Sequence, residues 1–116
     1  MKPFNYRRIK LLLLLLGIFI GRAAAADNEP LTVEIRFHDH KFDPIAVTVP
    51  AGKPFDLKVV NDGPKAIEFE SFKLHLEHVI GPGRTAIIKV RALKNGIYDF
   101  VDDFDDSVPE GKIEVQ

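Results

Sequence analysis

The sequence predicts an all-β domain, a sandwich of seven or eight short strands behind a cleaved N-terminal leader. Apolar residues alternate with polar ones at period two in several short runs, the pattern of half-buried strands. Clusters of Gly, Pro, Asn and Asp separate those runs at a spacing of about ten residues. Beyond residue 26 no segment sustains a helical period. Short strands, regular turns and no helix together point to a sandwich.

The leader comes first. Met1 to Lys10 carries Lys2, Arg7, Arg8 and Lys10, Leu11 to Ile20 is apolar, and Ala23 to Ala26 are small. That is the charged, apolar and small-residue order of a secretory signal peptide, cleaved after about Ala26. The apolar run falls short of the roughly 20 residues needed to cross a bilayer, so cleavage is expected ahead of the alternative, an uncleaved anchor, and no stable membrane anchor remains. Periplasmic or other export follows. Arg7-Arg8 leaves the route, Sec or twin-arginine, open.

Leu31, Val33, Ile35 and Phe37 alternate with polar residues as a first strand, whose register places His38 and His40 on the face opposite the apolar residues. Pro44 interrupts pairing, Val47 and Val49 share one direction, and Pro50-Ala-Gly52 turns the chain. Phe55, Leu57 and Val59 form another strand, ended by Asn61-Asp-Gly-Pro64. Ile67 to Ser71 is a short strand, and Phe72 to Glu77 reads as an irregular or briefly helical connection. Val79-Ile80 runs into the turn Gly81-Pro-Gly83. Ala86, Ile88 and Val90 make a strand, and Lys94-Asn95-Gly96 signals a hairpin. Tyr98 and Phe100 alternate in the next strand, four aspartates (Asp102, Asp103, Asp105 and Asp106) follow in five positions, and Gly111 leads into Ile113 and Val115. There is no internal repeat and no second domain: residues 27–116 form one.

Composition narrows the chemistry. Of 116 residues none is cysteine, and the one methionine is Met1. Residues 27–116 hold 11 basic against 17 acidic side chains, a net of −6, which argues against nucleic acid and anionic membranes as partners. A domain of this size buries only about 60–65% of its unfolded surface, so without disulfides it depends on a well-packed core. Ser71 and Ser107 stand in no nucleophile motif, and no glycine-rich phosphate loop is present.

The final strand and loop resemble the C-terminal signature of the cupredoxins, G-x-Y-x-F-x-C followed by histidine. Gly96, Tyr98 and Phe100 match, whereas Asp102 stands at the cysteine position and Asp105 at the histidine position. Phe42, Pro44, Val47 and Gly52 resemble the cupredoxin opening F-x-P…V…G. Within that family the chain looks most similar to the periplasmic cupredoxin-like component of bacterial iron-transport systems. Asp39 to Pro44 matches its D-H-x-F-x-P segment and Glu68 to Ser71 its E-F-E-S segment. Asp103 to Gly111 aligns with its final loop, with Asp105 replacing the histidine and Val108-Pro109 a Thr-Ala pair.

The resemblance implies a Greek-key β-sandwich with a metal site at one end. A blue copper centre needs a thiolate beside two imidazoles, so type-1 copper is excluded. The implied ligands are Glu68, at the position of the first cupredoxin histidine, with Asp102 and Asp105; His40 and His78 are candidates to add nitrogen. Oxygen with imidazole suits Cu(II), iron or Mn. Two carboxylates about 4 Å apart repel by roughly 4 kcal/mol at an effective dielectric near 20, so three converging acids need a proton, a basic side chain or a cation. The alternative is a solvated acidic loop with no site. His40 stays open between ligand and backbone partner, His38 reads as surface, and His75 with His78 as a weak second site. Tyr98, Phe100 and Phe104 read as packing, and Glu70 is not separable from Glu68.

Three functions remain: an exported metal-binding accessory in iron or copper handling, partnered by an iron-transport permease or another periplasmic metal-handling protein; a metal-free interaction scaffold of the same architecture; and a ferroxidase-like enzyme.

Overall fold

The computed structural model describes Gly21 and residues 29–116; the leader falls outside them. Among the described residues there are nine strands: β1 (Leu31–His38), β2 (Lys41–Asp43), β3 (Ala46–Val49), β4 (Phe55–Asn61), β5 (Ile67–Ser71), β6 (Leu76–Ile80), β7 (Thr85–Val90), β8 (Gly96–Asp102) and β9 (Gly111–Val115). They form a four-stranded sheet, β2-β1-β4-β7, and a five-stranded sheet, β3-β9-β8-β5-β6. The all-β sandwich expected from the alternation is the fold. No helix among the described residues is long and apolar enough to cross a membrane.

The chain changes sheets where it cannot continue pairing. Pro44, with no N–H to give a ladder, follows β2, and β3 then runs parallel to β9 in the other sheet. β1 and β4 are likewise parallel neighbours, so the connections cross between the sheets.

The core is the set of inward positions that the alternation marked. Ile35, Leu57, Val59, Phe69 and Ile113 are fully buried. Four phenylalanines join the sheets at the end that carries the acidic loop. Phe42 meets Phe100 edge-on at 5.1 Å and Phe69 at 5.9 Å, Phe69 stacks on Phe100 at 4.9 Å, and Phe37 reaches Phe42 at 5.2 Å. Such pairs contribute about 0.5–1.5 kcal/mol each beyond the area they bury.

Two local expectations are corrected. The connection expected over Phe72 to Glu77 is irregular, not helical, and ends two residues sooner: Phe72 to His75 is a four-residue hairpin loop, with His75 at φ 54° and its N–H donating to Phe72 O at 3.1 Å. Pairing resumes at Leu76 opposite Ser71. Nor do His38 and His40 share a strand face. Asp39 and His40 both take positive φ, 50° and 61°, and close a two-residue hairpin in which His38 pairs with Lys41. That turn type needs left-handed backbone at both central residues, which Asp tolerates well.

Gly111 begins β9 under the aromatic cluster. A Cβ there would intrude on the Phe100 ring and lie 3.0 Å from Ile45 O. Gly111→Ala is therefore expected to destabilise the fold by about 1–3 kcal/mol, measurable by urea unfolding.

Candidate carboxylate site

Three connections meet at one end of the sandwich: the β1–β2 turn, the β4–β5 loop and the β8–β9 loop. Asn61 fixes the second of these. Fully buried at the end of β4, its side-chain amide donates to Lys65 O, Ile80 O and Gly81 O, and its Oδ1 accepts from Gly63 N–H. The loop so held brings Lys65 close enough to influence Asp105.

Asp102 ends β8 directly opposite Phe69 in the register, so its side chain takes the inward face. It is 4% exposed and is the one buried carboxylate among the described residues. Its Oδ1 accepts from Glu68 N–H at 2.9 Å and from Phe104 N–H at 3.1 Å. Oδ2 makes no hydrogen bond, and no basic side chain pairs with Asp102, among the described residues. Asp102 also lines a groove of about 530 Å³ walled by Asp103, Asp106, Ser107 and Glu110.

Asp105 is committed elsewhere. The Ser107 hydroxyl donates to Asp105 Oδ1 at 2.6 Å and the Ser107 N–H to the same oxygen at 3.0 Å, a local turn that holds the Asp105 carboxyl below the usual carboxylate range. With its proton given to Asp105, the Ser107 hydroxyl accepts from His40 Nε2–H at 2.7 Å. Asp105 Oδ2 lies 3.7 Å from the same nitrogen. His40 therefore joins the β1–β2 turn to the acidic loop. His38, raised by hydrogen bonds to Asp43 and Asp39, bonds within its own hairpin.

Glu68 stands on the opposite face of the sheet from Asp102. It shares the outer surface with Glu70, with Glu77 (opposite Glu70 in the register) and with Asp103, whose N–H bonds Glu68 O. Glu77, sharing a hydrogen bond with it, pushes Glu68 up to about 7, with burial and the charges of Asp103 and Glu70 adding to the effect. Burial first, then Asp103, raises Glu70. His78 pairs with Phe69 and so faces away from this group.

The expected trio is thus split three ways: Asp102 inward, Asp105 to His40, Glu68 outward. Among the described residues no three histidine or carboxylate side chains are gathered closely enough to hold a metal ion. Glu77 was missed because its importance depends on β6 pairing with β5.

The sequence profile described as cupredoxin-like domain matches residues 10–115. A relative in Rickettsia prowazekii (strain Madrid E), named uncharacterized protein RP394, is 32% identical over 106 residues, covering 89% of this chain and 85% of that one. The metal-binding domain of the Streptococcus pneumoniae D39 Cu(I)-exporting P-type ATPase CopA, solved with Cu(I), superposes with a TM-score of 0.66 at 15% identity over 73% of this chain and 84% of that one. Auracyanin A, a blue copper protein of Chloroflexus aurantiacus, gives 0.57 at 17% identity over 76% and 100%. Amicyanin of Paracoccus versutus gives 0.59 at 16% over 76% and 92%. At these identities the superpositions speak for the fold.

Removing the Asp102 acceptor with Asp102→Ala strands two backbone N–H groups and should cost about 2–3 kcal/mol in urea unfolding, whereas Asp102→Asn, which keeps an acceptor oxygen, should cost far less. The Glu68 shift fixes a second outcome. The native state binds this proton more tightly than the unfolded chain, so the resulting stability is complete below 4.5 and is lost as pH rises through about 7. The thermal midpoint should fall across that window, and Glu68→Gln should flatten the fall.

Proposed function

We propose that this chain, which belongs to the cupredoxin-like domain family, is an exported metal-handling accessory that takes its cation through hard donors at the acidic loop. One observation carries the reading: Asp102, a carboxylate 4% exposed, has one oxygen held by two backbone N–H groups and no cationic partner among the described residues. Buried charges in proteins are paired or coordinate metals. The copper bound by structural neighbours requires a different fit. A chain without cysteine, and without methionine beyond Met1, does not suit a blue copper site, and no step through one is drawn.

What the residues do suit is a cation that prefers oxygen. Asp102 would supply the fixed donor, with Asp103, Asp106 and Glu110 along the same groove and Asp105 with His40 beside it. Carboxylate with imidazole fits Cu(II), iron or Mn. The D-H-x-F-x-P and E-F-E-S segments support a place in periplasmic iron or copper handling, with an iron-transport permease as partner. A metal-free scaffold is the second reading, favoured by the absence of a gathered ligand set among the described residues.

Calorimetric titration with Cu(II), Fe(II) and Mn(II), followed by elemental analysis, separates the two. Stoichiometric uptake that Asp102→Asn weakens by more than about tenfold, and that His78→Ala leaves alone, supports the accessory role. No uptake, or uptake indifferent to Asp102→Asn, leaves the scaffold. Oxygen-dependent Fe(II) oxidation beyond one turnover would make the protein an enzyme.

A further inference from the structure

The two outer sheet faces differ in how their charges are arranged. On the four-stranded sheet most are compensated: Arg36 bonds Glu34 and Asp62, Lys58 pairs with Glu34, and Lys89 with Asp56. On the five-stranded sheet Lys73 and Lys112 pair with Asp99 and Glu114. Glu68, Glu70, Glu77 and Asp103 have no basic partner among the described residues.

That second face is also apolar in places where solvent would favour polar groups. Phe72 is 84% exposed and Val79, opposite Glu68, 64%. Phe72 borders a shallow groove of about 310 Å³ formed with Glu70, Lys73, Asp99, Val101 and Glu110. Ile97 adds a further exposed side chain on the same face.

We propose that the outer face of the five-stranded sheet docks a protein partner that presents Lys or Arg side chains around an apolar knob. Charge selects the occupant: uncompensated carboxylates repel acidic surfaces and nucleic acid, and a basic surface supplies the missing counter-charges. The apolar groove beside Phe72 receives the knob, and aromatic anchors bordered by polar groups are the usual centres of such contacts. A second copy of this chain is a poor occupant: on its four-stranded face Arg36, Lys58 and Lys89 are already paired, which leaves Lys41 of β2 as a lone cation against four carboxylates. The Asp102 carboxylate itself faces the other way, although its groove adjoins this surface and shares Val101 and Glu110 with it.

The test maps binding of a synthetic peptide alternating Lys and Leu by amide chemical shifts of the full chain, above the titration of Glu68. Shifts should centre on Glu70, Glu77, Val79 and Val101. Affinity should fall about tenfold or more between about 0.01 M and about 0.1 M salt, as the screening length shrinks from about 30 to about 10 Å. Glu70→Lys with Glu77→Lys should abolish binding without loss of thermal stability, since both relieve repulsion. Phe72→Ser should weaken it about tenfold, and Glu34→Gln on the other face should change nothing. Shifts scattered over both sheets, equal binding of a Lys/Ser peptide, unchanged affinity in the double variant, or dimerisation through this face would each overturn the proposal.

Discussion

The Asp102 carboxylate is the point on which this end of the molecule depends. By accepting from Glu68 N–H and Phe104 N–H through one oxygen, it ties β8 to β5 and starts the acidic loop in a single contact. The loop then closes through short-range bonds, Asp105 N–H to Asp102 O and Val108 N–H to Asp105 O, each 3.1 Å. Val108 is buried and joins the apolar core. A carboxylate suits this task better than a neutral acceptor, because bonds from N–H to a charged oxygen are the stronger kind. Its cost is a buried charge, and that charge makes the position chemically interesting as well as structural.

Much of the fold was legible from residues alone. Ile35 and Phe37, Leu57 and Val59, and Ile113 and Val115 alternate as strands with one solvated face, and each pair is buried. β6 was not legible. It is an edge strand whose inward position opposite Phe69 holds His78, so Leu-Glu-His-Val-Ile lacks the alternation that marks its neighbours. The Asp39-His40 turn was hidden for another reason: without glycine or asparagine, nothing announces two residues of positive φ.

The site shows the same limit more sharply. Asp102, Asp105 and His40 were identified by resemblance to a ligand frame, and the structure does bring Asp105 to His40. Whether Glu68 joins Asp102 turns on a single step of register. Phe69, not Glu68, pairs with Asp102, so the two acids occupy opposite faces while their backbones touch. A shift of one residue would have reversed that outcome. Glu70, Glu77 and Asp103 gain their meaning from the same pairing. Family membership thus accounts for the scaffold, and the chemistry rests on which side of the sheet each side chain takes.

If the acidic loop holds a cation against Asp102, as proposed, relaxation by substoichiometric Mn(II) will report its position. The amide signals of Phe104, Asp106, Ser107 and Glu68 should broaden first, while those of β1, β4 and β7 persist. Broadening centred on His75 and His78, or spread evenly over the surface, would contradict the proposal.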